Sequence, residues 1–288
     1  MIISRTPYRV GFGGGGSDLP AFYRRESGAV VASAIQRFLH VAATPWPAGG
    51  VQLHHEGTEA VGSASELGHG IVAESLRAAG VEHGIRLYTT GQVPPGTGLG
   101  SSSALAVGMA ALLAAWNHEC VDPAELARRA CATEIDRLGG SLGKQDQTIV
   151  AHGGLCLIEF HPDESVNVSP IRISAEDQHA FEERVLLFYT GRQRVADGIL
   201  TGLARLAPDR IDAIRNLRDH AVAIRDALER EGGPDFGEVG RHLHAGWMEK
   251  RALWPGSSTA EVDDWYARAR DAGALGGRLL GAGGGGYV

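Results

Sequence analysis

The chain has 288 residues, 43% hydrophobic and 21% charged, the make-up of a globular protein large enough for a sizeable core. Twenty-seven basic against thirty-four acidic residues give a formal charge of −7, which argues against a general nucleic-acid-binding surface. Three cysteines without CxxC or CxxH spacing, no apolar run long enough for a membrane span and an N-terminus without a signal-type apolar stretch argue against a disulfide framework, a structural zinc site and a membrane protein, and fit a reducing cytoplasm.

Residues 2–12 read as a strand and residues 29–44, β-branched and apolar, as a second. VQLHH, after the turn WPAGG, reads as a short pairing strand. Leu67, Ile71, Val72, Leu76 and Ala79 recur at helical spacing, which predicts a helix over 65–79. Residues 85–90 form a strand that runs into PPGTGLGSSSA, and residues 101–117 a strong helix. Asp122-Pro123 supplies an N-cap and a proline at the first helical position; that helix runs to about residue 136 and stops before Gly139-Gly140. Further strands are expected at 155–160, 167–173, 185–189 and 274–280. Residues 193–272 read as largely helical, with breaks near Pro208, 232–234 and Pro255-Gly256. Mixed α and β followed by mostly α predicts an α+β fold in two closely joined halves, with a boundary near residue 160.

The 41 glycines cluster at 11–16, 96–100, 139–143 and 281–286, where backbone is expected to come close to something. GFGGGG satisfies GxGxxG after a strand. A dinucleotide-binding fold, however, wants an acidic residue about twenty positions on, and VVASAIQRFLH has none. PPGTGLGSSSA is more informative: strand, glycine-rich turn and helix N-terminus present unpaired amides and the positive end of the dipole to an anion. One serine would serve as an N-cap; three after Gly-x-Gly-x-Gly favour a phosphate cradle. EIDRLGGSLGKQDQ, taken alone, reads as a solvated turn bracketed by Glu134 and Asp146, and LGAGGGG as a flexible tail. His54-His55 and His242-x-His244 lack matching carboxylates and read as surface or packed histidines.

Together, RTPYRVGFGGGGSD, PPGTGLGSSSA and LLGAGGGGYV resemble, in order and over nearly the whole chain, the three motifs of the GHMP small-molecule kinases. GFGGGGSD, GKQDQ followed by AHGGL, TGRQRVADGIL and GRLLGAGGGG are most similar to the branch that phosphorylates the anomeric hydroxyl of a heptose 7-phosphate. The resemblance implies a fold like the second domain of ribosomal protein S5 in residues 1–160 and a ferredoxin-like half in residues 161–288. It also implies ATP and Mg2+ as cofactor pair and a sugar phosphate as substrate, with no nucleic acid or membrane partner and a homodimer as the assembly to test. Carried onto matching positions, it makes Asp146 the base and Arg9 its cationic neighbour. ATP lies on Pro95, Gly96, Thr97, Gly98, Leu99 and Gly100, with Ser101, Ser102 and Ser103 at the helix start. Mg2+ falls to Ser102 and Glu134. Gly14, Gly15, Ser17, Asp18, Gly283 and Gly284 fall on the substrate side. The substrate's own phosphate needs a second cation, for which Lys144 and Arg194 are favoured over Arg192 and Arg5. The competing readings are a kinase of the same family for another sugar, galactose- or fucose-like, and a sugar-phosphate-binding relative without catalysis; against the latter, Arg9, Ser102, Glu134 and Asp146 occur together. The family's members continue past the last glycine motif, whereas this sequence stops at Val288.

Overall fold

The computed structural model describes residues 1–193 and 210–288. Seven strands and nine helices form among the described residues: β1 (Ile2–Gly13), α1 (Pro20–Tyr23), β2 (Gly28–Pro45), β3 (Val51–His54), β4 (Thr58–Val61), α2 (Gly70–Ala78), β5 (Ile85–Gly91), α3 (Ser101–Trp116), α4 (Pro123–Cys131), α5 (Gln145–His152), β6 (Leu155–Phe160), β7 (Val166–Pro170), α6 (Ala175–Glu182), α7 (Ile211–Leu228), α8 (Phe236–Leu253) and α9 (Ala260–Asp271). They make two compact units, each assembled from separate stretches of chain. The first holds Met1–Arg9, Ala34–Pro95 and Gly100–Gly153; the second holds Val10–Ser33, Gly96–Leu99 and Gly154–Val288.

In the first unit the later part of β2 pairs antiparallel with β5, from Leu39 opposite Gly91 to Pro45 opposite Ile85. Strand β5 runs parallel to β3, and β3 turns into β4. The inward residues of these strands, Val41, Leu53, Ile85 and Leu87, are fully or almost fully buried. Helix α3 packs on α2, α4 and α5. Its sequence SSSALAVGMAALLAAW is apolar on every side, and residues from Ser103 to Ala114 are buried nearly without interruption, as expected of a helix enclosed by its own unit. Gly108 is needed in its middle: a Cβ there would lie 2.8 Å from the Thr6 hydroxyl of β1, and Ser4 of β1 donates a hydrogen bond to the Gly108 carbonyl at 2.8 Å. Helix α4 begins as its sequence demands, with Asp122 accepting from the Glu125 amide at 2.8 Å and Pro123 at the first position.

In the second unit the first part of β2 pairs antiparallel with β6, from Gly28 opposite Phe160 to Ser33 opposite Leu155, and β6 pairs with β7. Helices α7 and α8 pack closely. One core cluster joins Leu19 and Phe22 to Ile214, Leu217, Leu253 and Trp254; another joins Trp247, Val262, Tyr266 and Leu279.

Several expected elements are corrected. Residues 65–79 do not form one helix: a 3-10 turn at Ala64–Glu66 is followed by α2 from Gly70, because Gly68 and the capping residue His69 interrupt the run. Residues 274–280 form no strand. A Cβ on Gly276 would lie 1.9 Å from the Gly240 carbonyl of α8, so this segment buries Leu279 and Leu280 by lying against a helix rather than by joining a ladder. Residues 185–189 shrink to a single bridge, Tyr189 to Tyr287, flanked by hydrogen bonds between Phe188 and Val288; this pairing involves only a few residues, too short for a strand. The presumed turn 134–147 is helical at both ends, with a π-helical segment at Ala132–Arg137 and α5 beginning at Gln145, and only the stretch between them is a loop.

Candidate active site

Arg9 lies on β1 and is almost completely buried, and Asp146 lies in the first turn of α5. The guanidinium meets the carboxylate with both prongs: Nε donates to Oδ1 at 2.7 Å and Nη2 donates to Oδ2. This fork geometry fixes both groups. A carboxylate has about four lone-pair sites, so Asp146 keeps acceptor capacity for a substrate proton. Arg9 also lies against the start of α3: a Cβ on Gly100, whose φ is +77°, would stand 3.1 Å from its Cγ. Only glycine lets the loop enter the helix with the arginine at this position.

Glu134 sits in the π-helical segment, buried, with Gln147 Nε2 donating to it at 2.7 Å. A π-turn inside a helix is a frequent mark of a functional position. Burial pushes the Glu134 carboxyl up from its ordinary range; hydrogen bonds from Ser102, Gln147 and Ser103 oppose this, and the charge of Asp146 adds to it. Ser102 is exposed at the start of α3 while touching this buried carboxylate. A hydroxyl and a carboxylate in contact, the latter held where its negative charge is under-compensated, suit a hard divalent cation that takes few protein ligands. The buried Gln147 Oε1 has no hydrogen-bond partner, so the pocket around Glu134 holds polar capacity its own side chains leave unused. Among the described residues no group of three or more His, Cys, Asp or Glu side chains that could hold a metal ion occurs.

The loop 96–100 places glycines of positive φ at every second residue, Gly96, Gly98 and Gly100. Helix α3 then starts with no side-chain cap. Alternating left-handed residues turn successive amides to one side, and uncapped N–H groups follow directly.

The remaining sequence-derived residues fall as follows. Asp18 is buried in the second unit and accepts from the Gly16 amide at 2.9 Å. The hydroxyl of Ser17 donates to the Gly14 carbonyl at 2.7 Å and receives the Ala29 amide at 3.1 Å, so it ties the glycine turn to β2. Gly14 is required there, since a Cβ would lie 1.9 Å from the Ala29 carbonyl; Gly15 is half-buried in the same turn. Gly284 donates its amide to the Ser257 carbonyl at 3.0 Å, and Gly283 lies against the same residue. Lys144 stands at the N-cap position of α5, without a side-chain capping bond, two residues before Asp146. Arg192 pairs with Glu261 at 2.6 Å and Arg5 stands over the Phe38 ring at 4.4 Å. Arg194 lies outside the described residues. Two groups escaped sequence reading: Gln147, whose flanking position beside Asp146 was a hint, and the buried Lys250 of α8, for which the sequence offers no signal.

Residues 66–154 match the GHMP kinases N terminal domain and residues 223–288 match GHMP kinases C terminal, together more than half of the chain. The chain belongs to the GHMP kinase family, the ATP-dependent small-molecule kinases. Among its relatives, a D-glycero-alpha-D-manno-heptose 7-phosphate kinase of Campylobacter jejuni is 28% identical over 304 residues, spanning 100% of this chain and 88% of that protein. An L-fucokinase/L-fucose-1-P guanylyltransferase of Bacteroides fragilis is 29% identical over 236 residues, spanning 78% of this chain and 24% of that protein. Among solved structures, a D-glycero-D-manno-heptose 1-phosphate kinase of Bacteroides thetaiotaomicron superposes with a TM-score of 0.78 at 24% identity, covering 100% of this chain and 87% of that one. Streptococcus pneumoniae phosphomevalonate kinase, in complex with phosphomevalonate and AMPPNP, reaches 0.79 at 14% identity, covering 100% and 91%. The α+β GHMP kinase fold expected from sequence is the one observed. Among the described residues no helix is long and apolar enough to cross a membrane.

Proposed function

We propose that this GHMP kinase transfers the γ-phosphoryl group of ATP to the anomeric hydroxyl of a heptose 7-phosphate, giving heptose 1,7-bisphosphate and ADP. The observation that carries the reading is the forked Arg9–Asp146 pair, which lies against the start of the helix that carries Ser102. The full-length likeness to a heptose 7-phosphate kinase supports the substrate class.

In this reading residues 1–160 are the ATP-binding portion and residues 161–288 the C-terminal portion. The amides of 95–103 hold the triphosphate. Ser102 and Glu134 would hold Mg2+, which when bound neutralises phosphate charge. Asp146 accepts the proton of the anomeric hydroxyl as the oxygen–phosphorus bond forms and the bond to the ADP oxygen breaks. Arg9 orients Asp146 and stabilises negative charge on the transferring group. Asp18 and the turn 14–18 are proposed for sugar hydroxyls, with Gly283 and Gly284 shaping the substrate side. Lys144 is proposed for the 7-phosphate because it stands two residues before Asp146 at the start of α5; Arg194 lies outside the described residues.

A coupled ADP-release assay over heptose 7-phosphate, galactose, fucose, mevalonate and homoserine tests the reading. Preference for heptose 7-phosphate is expected. Preference for an unphosphorylated sugar refutes the substrate, and binding of sugar phosphate without ATP consumption refutes the catalysis.

A further inference from the structure

Lys250 lies on α8 in the second unit, with only 6% of its surface exposed. Its Nζ donates to the Gly281 carbonyl at 2.6 Å and stands 5.9 Å from the Trp247 ring centroid. An ammonium taken out of water is unfavourable unless its N–H groups meet acceptors, so the carbonyl it meets is a meaningful partner. Gly281 opens the last glycine run. The turn it begins closes on itself through the Leu280 amide and the Tyr287 carbonyl at 2.8 Å. Both ends of that turn abut the phosphate loop. At one end the Leu280 carbonyl oxygen lies 2.7 Å from where a Cβ on Gly98 would stand. At the other, the Tyr287 amide donates to the Thr97 carbonyl at 3.1 Å, and a Cβ on Gly286 would stand 2.2 Å from that same oxygen. The chain just after α8 grips the middle of the turn, where Ser257 accepts the Gly284 amide. Nearly all of these links run through backbone. Lys250 brings a charged side chain to this backbone assembly, and a cation on the Gly281 carbonyl also polarises its peptide towards stronger donation by the Ala282 amide.

We propose that Lys250 is a positioning residue for the nucleotide: through the Gly281 carbonyl it holds the turn 280–287 against Thr97 and Gly98 and thereby sets the shape in which the loop meets the ATP phosphates. This rests on the phosphate-loop reading of 94–104 and is independent of which sugar is phosphorylated.

Binding of a fluorescent ATP analogue with Mg2+, measured without sugar, tests it on wild type, Lys250→Met and Lys250→Arg, with thermal melts alongside. Lys250→Met should bind nucleotide at least about tenfold more weakly and Lys250→Arg within about threefold of wild type, because arginine restores a cationic donor. Binding of heptose 7-phosphate, whose proposed site takes in Gly283 and Gly284 of the same turn, should weaken less than that of nucleotide, whereas a general loss of structure would weaken both alike. A folded Lys250→Met protein with wild-type nucleotide affinity overturns the proposal, as does equal weakening of both ligands. Hydrogen exchange on the wild type decides the matter even where the methionine variant does not fold. Loading with the analogue should slow exchange at the Tyr287 and Gly284 amides, and unchanged exchange there overturns the role. A wild-type protein that binds no nucleotide overturns the phosphate-loop reading itself, a result distinct from all of these.

Discussion

Replacing Asp146 by asparagine separates the two things its carboxylate does. The Arg9 side chain is 7% exposed and that of Asp146 23%, so the pair is mostly shielded from water and salt. Removing one partner of such a pair costs about 3–5 kcal/mol when the remaining charge is left without acceptors. Asparagine keeps one oxygen in place, and one hydrogen bond from Arg9 survives, worth about 1 kcal/mol. The partial exposure of Asp146 lets water reach the vacated side. The expected net loss is therefore about 2 kcal/mol, or about 4–8 °C in Tm. Turnover should fall much further, by about 10²–10⁴-fold, because the amide cannot accept the hydroxyl proton. Differential scanning fluorimetry and the coupled ADP assay read the two effects on the same preparation. A variant that loses the expected stability yet keeps kcat within threefold of wild type would show that Asp146 only orients Arg9. One that loses turnover with an unchanged Tm would refute the shielded-pair argument.

Three further outcomes are expected. Because burial raises the Glu134 carboxyl above its ordinary value of 4.5, the folded protein binds that proton more tightly than the unfolded chain. Stability from this group is therefore full below that value and declines as pH rises through the raised one. Metal-free Glu134→Gln should lack this decline and melt above wild type at pH 8, while Mg2+ should raise the Tm of wild type alone; equal Mg2+ stabilisation of both proteins would exclude Glu134 as a ligand. Gly286→Ala forces a Cβ to within 2.2 Å of the Thr97 carbonyl at a φ of +100°, so it should destabilise by more than the ~1–3 kcal/mol of left-handed strain alone and raise the KM for ATP. Gly139→Ala, with φ +68° and open space around it, should show only the strain, about 1 kcal/mol; equal effects of the two alanines in urea unfolding would sink the close-packing argument.

The central strands, α3 and the start of α4 were legible because their causes are local. Alternation, a continuous apolar run and an Asp-Pro cap act over a few residues. The glycine-rich turn 96–100 into α3 was legible for the same reason, since alternating glycines before a serine-rich helix start mark a backbone of positive φ. Helix α5 was hidden because glycines precede it and no apolar spacing announces it; packing against α3 and α4 stabilises it. The same packing lifts Asp146 out of a presumed loop onto a rigid first turn. The π-helical segment that brings Glu134 to Ser102 was equally invisible, because one extra residue in a helical turn has no distinct composition.

By itself, then, the sequence determined much of the local backbone: the central strands, α3, the start of α4 and the glycine turn before α3. Family likeness added which residues to watch and that Arg9 neighbours Asp146. The tertiary structure alone brought out Lys250 on Gly281. Arg9 and Asp146 stand 137 positions apart, and Lys250 reaches Gly281 across 31. No local propensity encodes such pairings. They arise because hydrophobic burial fixes the elements first, and the buried polar groups must then find partners wherever packing has carried them.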